Sequence, residues 1–438
     1  MNQILQPGQT AQVKMMNTTC KVGTFLGGGG QGEVYQAELD GKQFALKWYF
    51  PQAATDHQRT AIETLVEKGA PDNRFLWPLA LVEMPNVRGF GYVMPLRDEH
   101  YKSIVDLMLR RVSPSFRALA RAGYELADGF LQLHARGYSY RDISFGNVFF
   151  DPDSGAILIC DNDNVAVDGQ AESGVFGTPR FMAPEIVRGD AAPNTQTDLF
   201  SLAVLLFYML FVHHPLEGKK ELSIRCMDFP AMRQLYGTDP VYIFDPNNPS
   251  NQPVKGYHDN ALVFHDIYPR SLLKLFEKAF TLGLHDAQTR VRESEWRQAL
   301  TQLQDSIFYC AHCSAENFYD VEALRANGSA GHCWSCQANL SLPFRLRLNR
   351  HVVMLNHDTE LFPHHVDSGR LYDFSQPVAR VKQHPQNPNQ WGLENLSTVE
   401  WTTTGTDGSV TEIGPGRSVS LTVGRKIQFG SVQGEIHF

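Results

Sequence analysis

The chain has 438 residues, 42% hydrophobic and 20% charged, a balance that excludes a collagen-like, fibrous or wholly disordered protein. At about 100–200 residues per domain, the length predicts two to four domains. Thirty-nine basic against 47 acidic side chains leave a net charge of −8, which sets aside a general nucleic-acid-binding role.

Residues 1–10 lack a charged start followed by an apolar run, so they do not read as a secretory signal. Residues 21–26 and 33–39 read as strands around a glycine cluster, and the Asp40-Gly41 turn leads into a third strand over 42–49. Helical periodicity follows over 60–68, 115–136, 197–212 and 269–282. The helix at 115–136 has Ser113-Pro114 as a start signal and Gly137 as a stop. Residues 199–212 are the longest apolar stretch, broken only by Ser201. They fall short of the ~20 residues a membrane span needs, so they read as a core helix and the expected compartment is the cytoplasm. Strands first and helices second predict a two-lobed domain over residues 1–305. Residues 306–340 carry paired cysteines. From 341 to 438 short apolar runs, at 344–348, 351–355, 391–396, 399–403, 410–413, 418–423 and 426–429, alternate with Gly, Pro, Asn and Asp. That spacing predicts a β-sandwich or barrel, with 385–389 as a loop.

Gly27, Gly28, Gly29, Gly30, Gly32 and Val34 fit G-x-G-x-x-G-x-V after a strand. Glycines there let backbone N–H groups approach phosphates closely. Phe44-Ala45-Leu46-Lys47 ends fifteen residues beyond Gly32 on the third strand, where a lysine can set a point charge against a phosphate. Glu63 on the next helix is placed to pair with Lys47, with Glu67 as runner-up. Tyr140-Arg141-Asp142 is followed by Asn147 and then by Asp161-Asn162-Asp163. One carboxylate to orient an attacking hydroxyl, and an amide and a second carboxylate to hold Mg²⁺, make a kit for phosphoryl transfer. Ala183-Pro184-Glu185, Asp198 and Arg290 complete the series.

With these motifs in order, residues from about 20 to 305 resemble a eukaryotic-type protein kinase. The resemblance implies a Ser/Thr kinase using ATP with Mg²⁺ (or Mn²⁺). Asp142 would be the catalytic base, Lys47 would be paired with Glu63, and Asn147 and Asp161 would be the magnesium ligands. It places Ala45, Met94 and Leu96 around the adenine, Asp198 as a brace beneath the catalytic loop, and Glu185 in an ion pair with Arg290. Residues 164–184 would be the activation loop, with Ser173 as a candidate phosphosite and Thr178 packing near Asp142. Tyr140, Ser144, Asn162 and Asp163 depart from the family pattern. Those at 140, 162 and 163 carry an alternative, a pseudokinase or nucleotide-binding scaffold acting through the rest of the chain.

Of the seven cysteines, Cys20, Cys160 and Cys226 are scattered, whereas Cys310-x-x-Cys313 and Cys333-x-x-Cys336 fit a four-thiolate zinc ribbon with a structural Zn²⁺. Net charge between them is −2, from Glu316, Asp320, Glu322 and Arg325, which disfavours a nucleic-acid-reading ribbon. The tail resembles a forkhead-associated domain through residues 391–397 and 421–430. Ala379-Arg380 and Thr398-Val399 replace that family's phosphothreonine-reading pairs, which leaves a β-sandwich interaction module. The fold class expected is therefore α+β: a bilobal kinase-like domain, a small zinc ribbon and an all-β module. That order is similar to a bacterial kinase group encoded beside a von Willebrand factor A protein and a metal-dependent phosphatase in tellurite-resistance-type systems. The similarity implies those two as partners besides a protein substrate, with no nucleic acid and no membrane.

Overall fold

Six antiparallel strands open the chain: β1 (Thr10–Val13), β2 (Thr18–Gly28), β3 (Gly32–Leu39), β4 (Lys42–Tyr49), β5 (Ala80–Glu83) and β6 (Gly91–Pro95). In this computed structural model, which describes residues 3–14, 16, 18–169, 177–349 and 351–438, they close into a barrel in the order β1-β2-β3-β4-β6-β5. Alternate residues point inward, as the two-residue period of a strand requires. Val22, Tyr35, Ala37, Leu46, Trp48 and Val82 fill the interior. β1 was not expected, because four residues are too few to establish a period. It pairs with both β2 and β5. Just before it, Ile4 N–H donates to Glu33 at 2.8 Å and Leu5 N–H to the Tyr35 hydroxyl at 3.0 Å.

Helix α1 (Asp56–Lys68) begins at Thr55, whose hydroxyl accepts from Gln58 N–H, and ends at Gly69. A helix over 60–68 was expected, so the cap starts it one turn early. After α2 (Ile104–Met108) comes α3 (Phe116–Ala135), capped by Ser115, and after α4 (Pro184–Arg188) comes α5 (Thr195–Phe211). Asn194 opens α5 through a capping box with Thr197, an arrangement worth ~1 kcal/mol. Residues 197–211 are all buried, which explains a composition apolar on every face. No helix among the described residues is long and apolar enough to cross a membrane.

The chain is α+β and divides into two units, Met1–Phe264 with Leu275–Arg297, and His265–Lys274 with Gln298–Phe438. In the second, strands Ile307–Tyr309 and Glu316–Phe318 form a hairpin followed by a helix over Val321–Asn327. Two antiparallel sheets of six and four strands follow. Leu346, Val353, Leu393, Trp401, Ile427 and Ile436 from both sheets share one apolar core. Residues 385–389, expected to be a loop, are mostly strand. Ala379–His384 pairs with Asn387–Asn395, leaving only 385 and 386 as the turn. Pro388 is tolerated there because the tip is exposed and its position makes no ladder demand.

Candidate active site

The loop that carries Asp142 is held by α5. Asp198, 1% exposed on that core helix, accepts from the backbone N–H of Tyr140 at 2.6 Å and of Arg141 at 2.9 Å. Arg141 adopts φ 75, a left-handed conformation that costs a non-glycine residue energy and persists where surroundings enforce it. Asn147 Nδ2 donates to the Asp142 carbonyl at 2.8 Å and to its carboxylate at 3.2 Å. Thr178 Oγ1 donates to the other Asp142 oxygen at 3.0 Å. Two donors thus fix the Asp142 carboxylate, which remains half-buried. Tyr140 is fully buried and its hydroxyl donates to the Cys160 carbonyl. The phenol therefore ties the Asp142 loop to the residue before Asp161.

Lys47 is where the structure departs from expectation. Its ammonium meets both Asp163 oxygens, at 2.8 and 2.9 Å, and Asp161 at 3.5 Å. Glu63 is exposed on α1 and is not among the carboxylates that Lys47 reaches among the described residues; Glu67 is exposed too. The reason is local. Gln58, in the first turn that Thr55 caps, is the α1 residue whose side chain reaches the site. Its Nε2 donates to the Tyr49 hydroxyl at 3.0 Å and the Asp163 carbonyl at 3.3 Å. Tyr49 in turn donates to Asp163 Oδ2 at 2.5 Å. Tyr49 and Gln58 were not singled out from the sequence, and Asp163 only as a departure from the family pattern, not as the partner of Lys47. The available signal was an aspartate where the family has glycine.

Burial alone would push the Asp163 carboxyl up. The Lys47 charge and the Lys47 and Tyr49 hydrogen bonds outweigh it and hold Asp163 below the usual carboxylate range. Burial likewise opposes the charge on Lys47, and Asp163 and then Asp161 overcome it. Asp161 is shifted the other way. Desolvation raises it more than Lys47 lowers it, with neighbouring Asp163 adding to the rise.

Across the barrel wall, Val34 lies opposite Lys47 and Ala45 opposite Met94. Ala45 and Met94 are buried, Val34 and Leu96 half-buried. The glycine cluster is the β2–β3 turn, closed by Gly29 N–H donating to Gly32 O at 2.9 Å. A Cβ at Gly27, Gly29 or Gly30 would meet nothing within 4 Å, and one at Gly28 only ordinary contacts. A Cβ at Gly32 would sit 2.2 Å from the Trp48 carbonyl. Gly32 is thus demanded by strand packing, whereas at 27, 29 and 30 the protein's own sterics leave open space. Arg290 Nη2 donates to Glu185 at 2.8 Å, with the guanidinium 3% exposed. Ser173 lies outside the described residues. A cavity of about 930 Å³ is lined by Asp168, Arg188, Asp239 and Gln288, and by none of Lys47, Asp142, Asn147 and Asp161. Volume therefore does not locate the reactive groups; the donor set does.

Residues 20–281 match the protein kinase domain family, more than half of the chain. The chain belongs to the protein kinase family. Similar curated proteins include the protein kinase C delta type of Rattus norvegicus, 33% identical over 208 residues, or 45% of this chain and 30% of that one. Glycogen synthase kinase 1 of Pyricularia oryzae is 22% identical over 333 residues, 69% of this chain and 79% of that one. A probable cell cycle serine/threonine-protein kinase CDC5 homolog of Encephalitozoon cuniculi is 27% identical over 201 residues, covering 44% and 42%. The chain spans about a third of the length of the protein kinase C delta relatives.

This kinase also carries a second cluster. Cys310, Cys313, Cys333 and Cys336 bring their sulfurs within 4.8 Å of one another and could hold a metal ion. Cys310 and Cys336 lie 3.7 Å apart, as do Cys313 and Cys333. Ligands about 2.3 Å from one tetrahedral zinc lie roughly 3.8 Å apart, so the spacing fits. The two knuckles share a geometry. Ser314 and Gln337, each one residue past the second cysteine, have φ 62 and 61 and donate to the carbonyls of Cys310 and Cys333. Burial works against the Cys333 thiolate. Backbone N–H donors of Cys336 and Ser335 and the Asn317 side chain outweigh it, bringing the thiol down to about 6.

Proposed function

We propose that this protein kinase is active, uses Mg²⁺ and ATP, and phosphorylates Ser or Thr hydroxyls on itself or a partner protein. The observation that carries the reading is Asp142, its carboxylate held by Asn147 at 3.2 Å and Thr178 at 3.0 Å within reach of an acceptor hydroxyl. That carboxylate orients the hydroxyl and accepts its proton, a contribution typically worth ~10²–10⁴-fold. Asp161 and Asn147 offer hard oxygen donors of the kind magnesium takes. Lys47 and the Cβ-free space at Gly27, Gly29 and Gly30 make room for the phosphates, while Ala45, Met94 and Leu96 bound the adenine side. Bound Mg²⁺ with ATP supplies the transferable phosphoryl group.

Radiolabelled ATP with purified full-length chain tests this. Wild type is expected to transfer label, and Asp142→Ala to lose at least ~100-fold of that rate. No transfer by wild type despite nucleotide binding would overturn it and leave the scaffold reading, which the substitutions at 140, 162 and 163 favour.

The same reading takes 1–305 as the catalytic domain and 306–340 as a zinc ribbon, supported by the 3.7 Å sulfur spacing. Residues 341–438 are taken as a β-sandwich interaction module, supported by the core shared between two sheets. A cytoplasmic bacterial signalling role, with a von Willebrand factor A protein and a metal-dependent phosphatase as partners, rests on the domain order alone.

A further inference from the structure

We propose that Asp163 is the positioning residue for Lys47, so that the phosphate-facing lysine is set from the metal-binding loop and not from a glutamate on α1. This rests on the kinase reading above and names how its lysine is controlled.

Four observations carry it. Asp163 presents both carboxylate oxygens to Lys47, at 2.8 and 2.9 Å, with its side chain 0% and that of Lys47 5% exposed. A charge so deeply buried is tolerated only when paired and hydrogen-bonded, and Tyr49 supplies a further hydrogen bond. Second, α1 offers no competing carboxylate at this place. Its inward residue is the neutral Gln58, which contacts Tyr49 and the Asp163 backbone, while Glu63 faces solvent. Third, aspartate replaces glycine here without strain. The left-handed position of the turn is Asp161, φ 49, and Asp163 does not take positive φ. Fourth, Gln31 at the tip of the glycine turn donates to Asn164 Oδ1 at 3.2 Å.

Asp161, Asp163 and Asn164 therefore join the metal carboxylate, the lysine and the glycine turn through one short segment. In the usual kinase arrangement the lysine–glutamate pair is made or broken as the helix moves. Here no α1 side chain pairs with Lys47 directly; α1 reaches the pair only through Gln58, which holds Tyr49 and the Asp163 backbone, whereas a shift of residues 161–164 breaks it.

The test uses full-length wild type, Glu63→Gln, Asp163→Asn, Asp163→Gly and the double variant Asp163→Gly with Gln58→Glu. Two readouts are taken: steady-state phosphorylation with varied ATP, and acylation of Lys47 by an acyl-phosphate derivative of ATP, quantified on the peptide by mass spectrometry. That probe transfers its acyl group to an amine held against its phosphates and releases ATP, so it reports lysine placement without requiring kinase turnover. Thermal melts confirm that each variant folds.

Glu63→Gln is expected to stay within twofold of wild type in both readouts. Asp163→Asn and Asp163→Gly are expected to lose at least tenfold in kcat and tenfold in Lys47 acylation, with the KM for the protein acceptor unchanged. A carboxylate returned from the helix at position 58 is expected to recover at least fivefold over Asp163→Gly alone, which a purely structural role for Asp163 would not allow. Wild-type acylation retained in folded Asp163→Asn, or a tenfold loss in Glu63→Gln, overturns the proposal. Acylation of Lys47 without phosphoryl transfer in wild type overturns the kinase reading instead, and the acylation series still decides the role of Asp163.

Discussion

His134, near the end of α3, sits between two carboxylates. Its Nε2 lies 3.2 Å from Asp198 and its Nδ1 bonds Glu293. Burial disfavours the imidazolium, but the hydrogen bonds to Asp198 and Glu293 outweigh that cost and raise it from 6.5 to about 9. A raised value means that the charged form stabilises the fold. The contribution is whole below the unfolded value near 6.5 and is lost as pH climbs through about 9. It amounts to about 3 kcal/mol at ~1.4 kcal/mol per unit. Chemical denaturation of wild type should show stability falling between pH 6.5 and 9, and His134→Gln should be less stable at pH 6 with most of that slope removed. A slope unchanged in the variant would assign it to other groups. Because Asp198 also accepts from the Tyr140 and Arg141 backbone, the same variant should lower activity at pH 7. At this scale, sequence legibility followed spacing. Asp142, Asn147, Asp161 and Lys47 could be named as candidates because they stand at fixed offsets along loops and strands. The partner of Lys47 could not, since it depended on where Thr55 begins a helix and on a side chain 116 residues away.

The glycine turn separates folding from function at the level of an element. Gly32→Ala drives a Cβ to 2.2 Å from the Trp48 carbonyl, and overpacking of this kind typically costs about 1–3 kcal/mol. Gly29→Ala meets nothing. The expected outcome is a lowered denaturation midpoint for Gly32→Ala, and an unchanged midpoint with a severalfold higher KM for ATP in Gly29→Ala. Equal stability losses in both would mean that the turn is purely structural. Periodic elements were the readable ones. The period and caps located α3 and α5 to within about two residues of Phe116–Ala135 and Thr195–Phe211. The four-residue β1 and the Ala379–His384 strand carry too little pattern, because their pairing energy comes from partners distant in sequence.

For the whole chain, the cysteine cluster sets the sharpest expectation. Elemental analysis should find about one zinc per chain. Cys333→Ser should abolish that zinc and lower the melting of Gln298–Phe438, measured by hydrogen exchange in the intact protein. A full chain that folds normally with substantially less than one zinc would refute the ribbon. The α+β class was legible from segment order, strands then helices then strands. The two-unit division at His265–Lys274 and Gln298 was not, since it depends on which helices pack where.

Closing β1 against β5 as well as β2 has a consequence for assembly. An open sheet leaves backbone donors and acceptors along its outermost strand, and partners exploit them by adding a strand of their own. The six-stranded barrel has no outermost strand to extend. Outside the stretch of β2 that runs past β1, recruitment or self-association through this part of the kinase is expected to use side-chain contacts on its outer face.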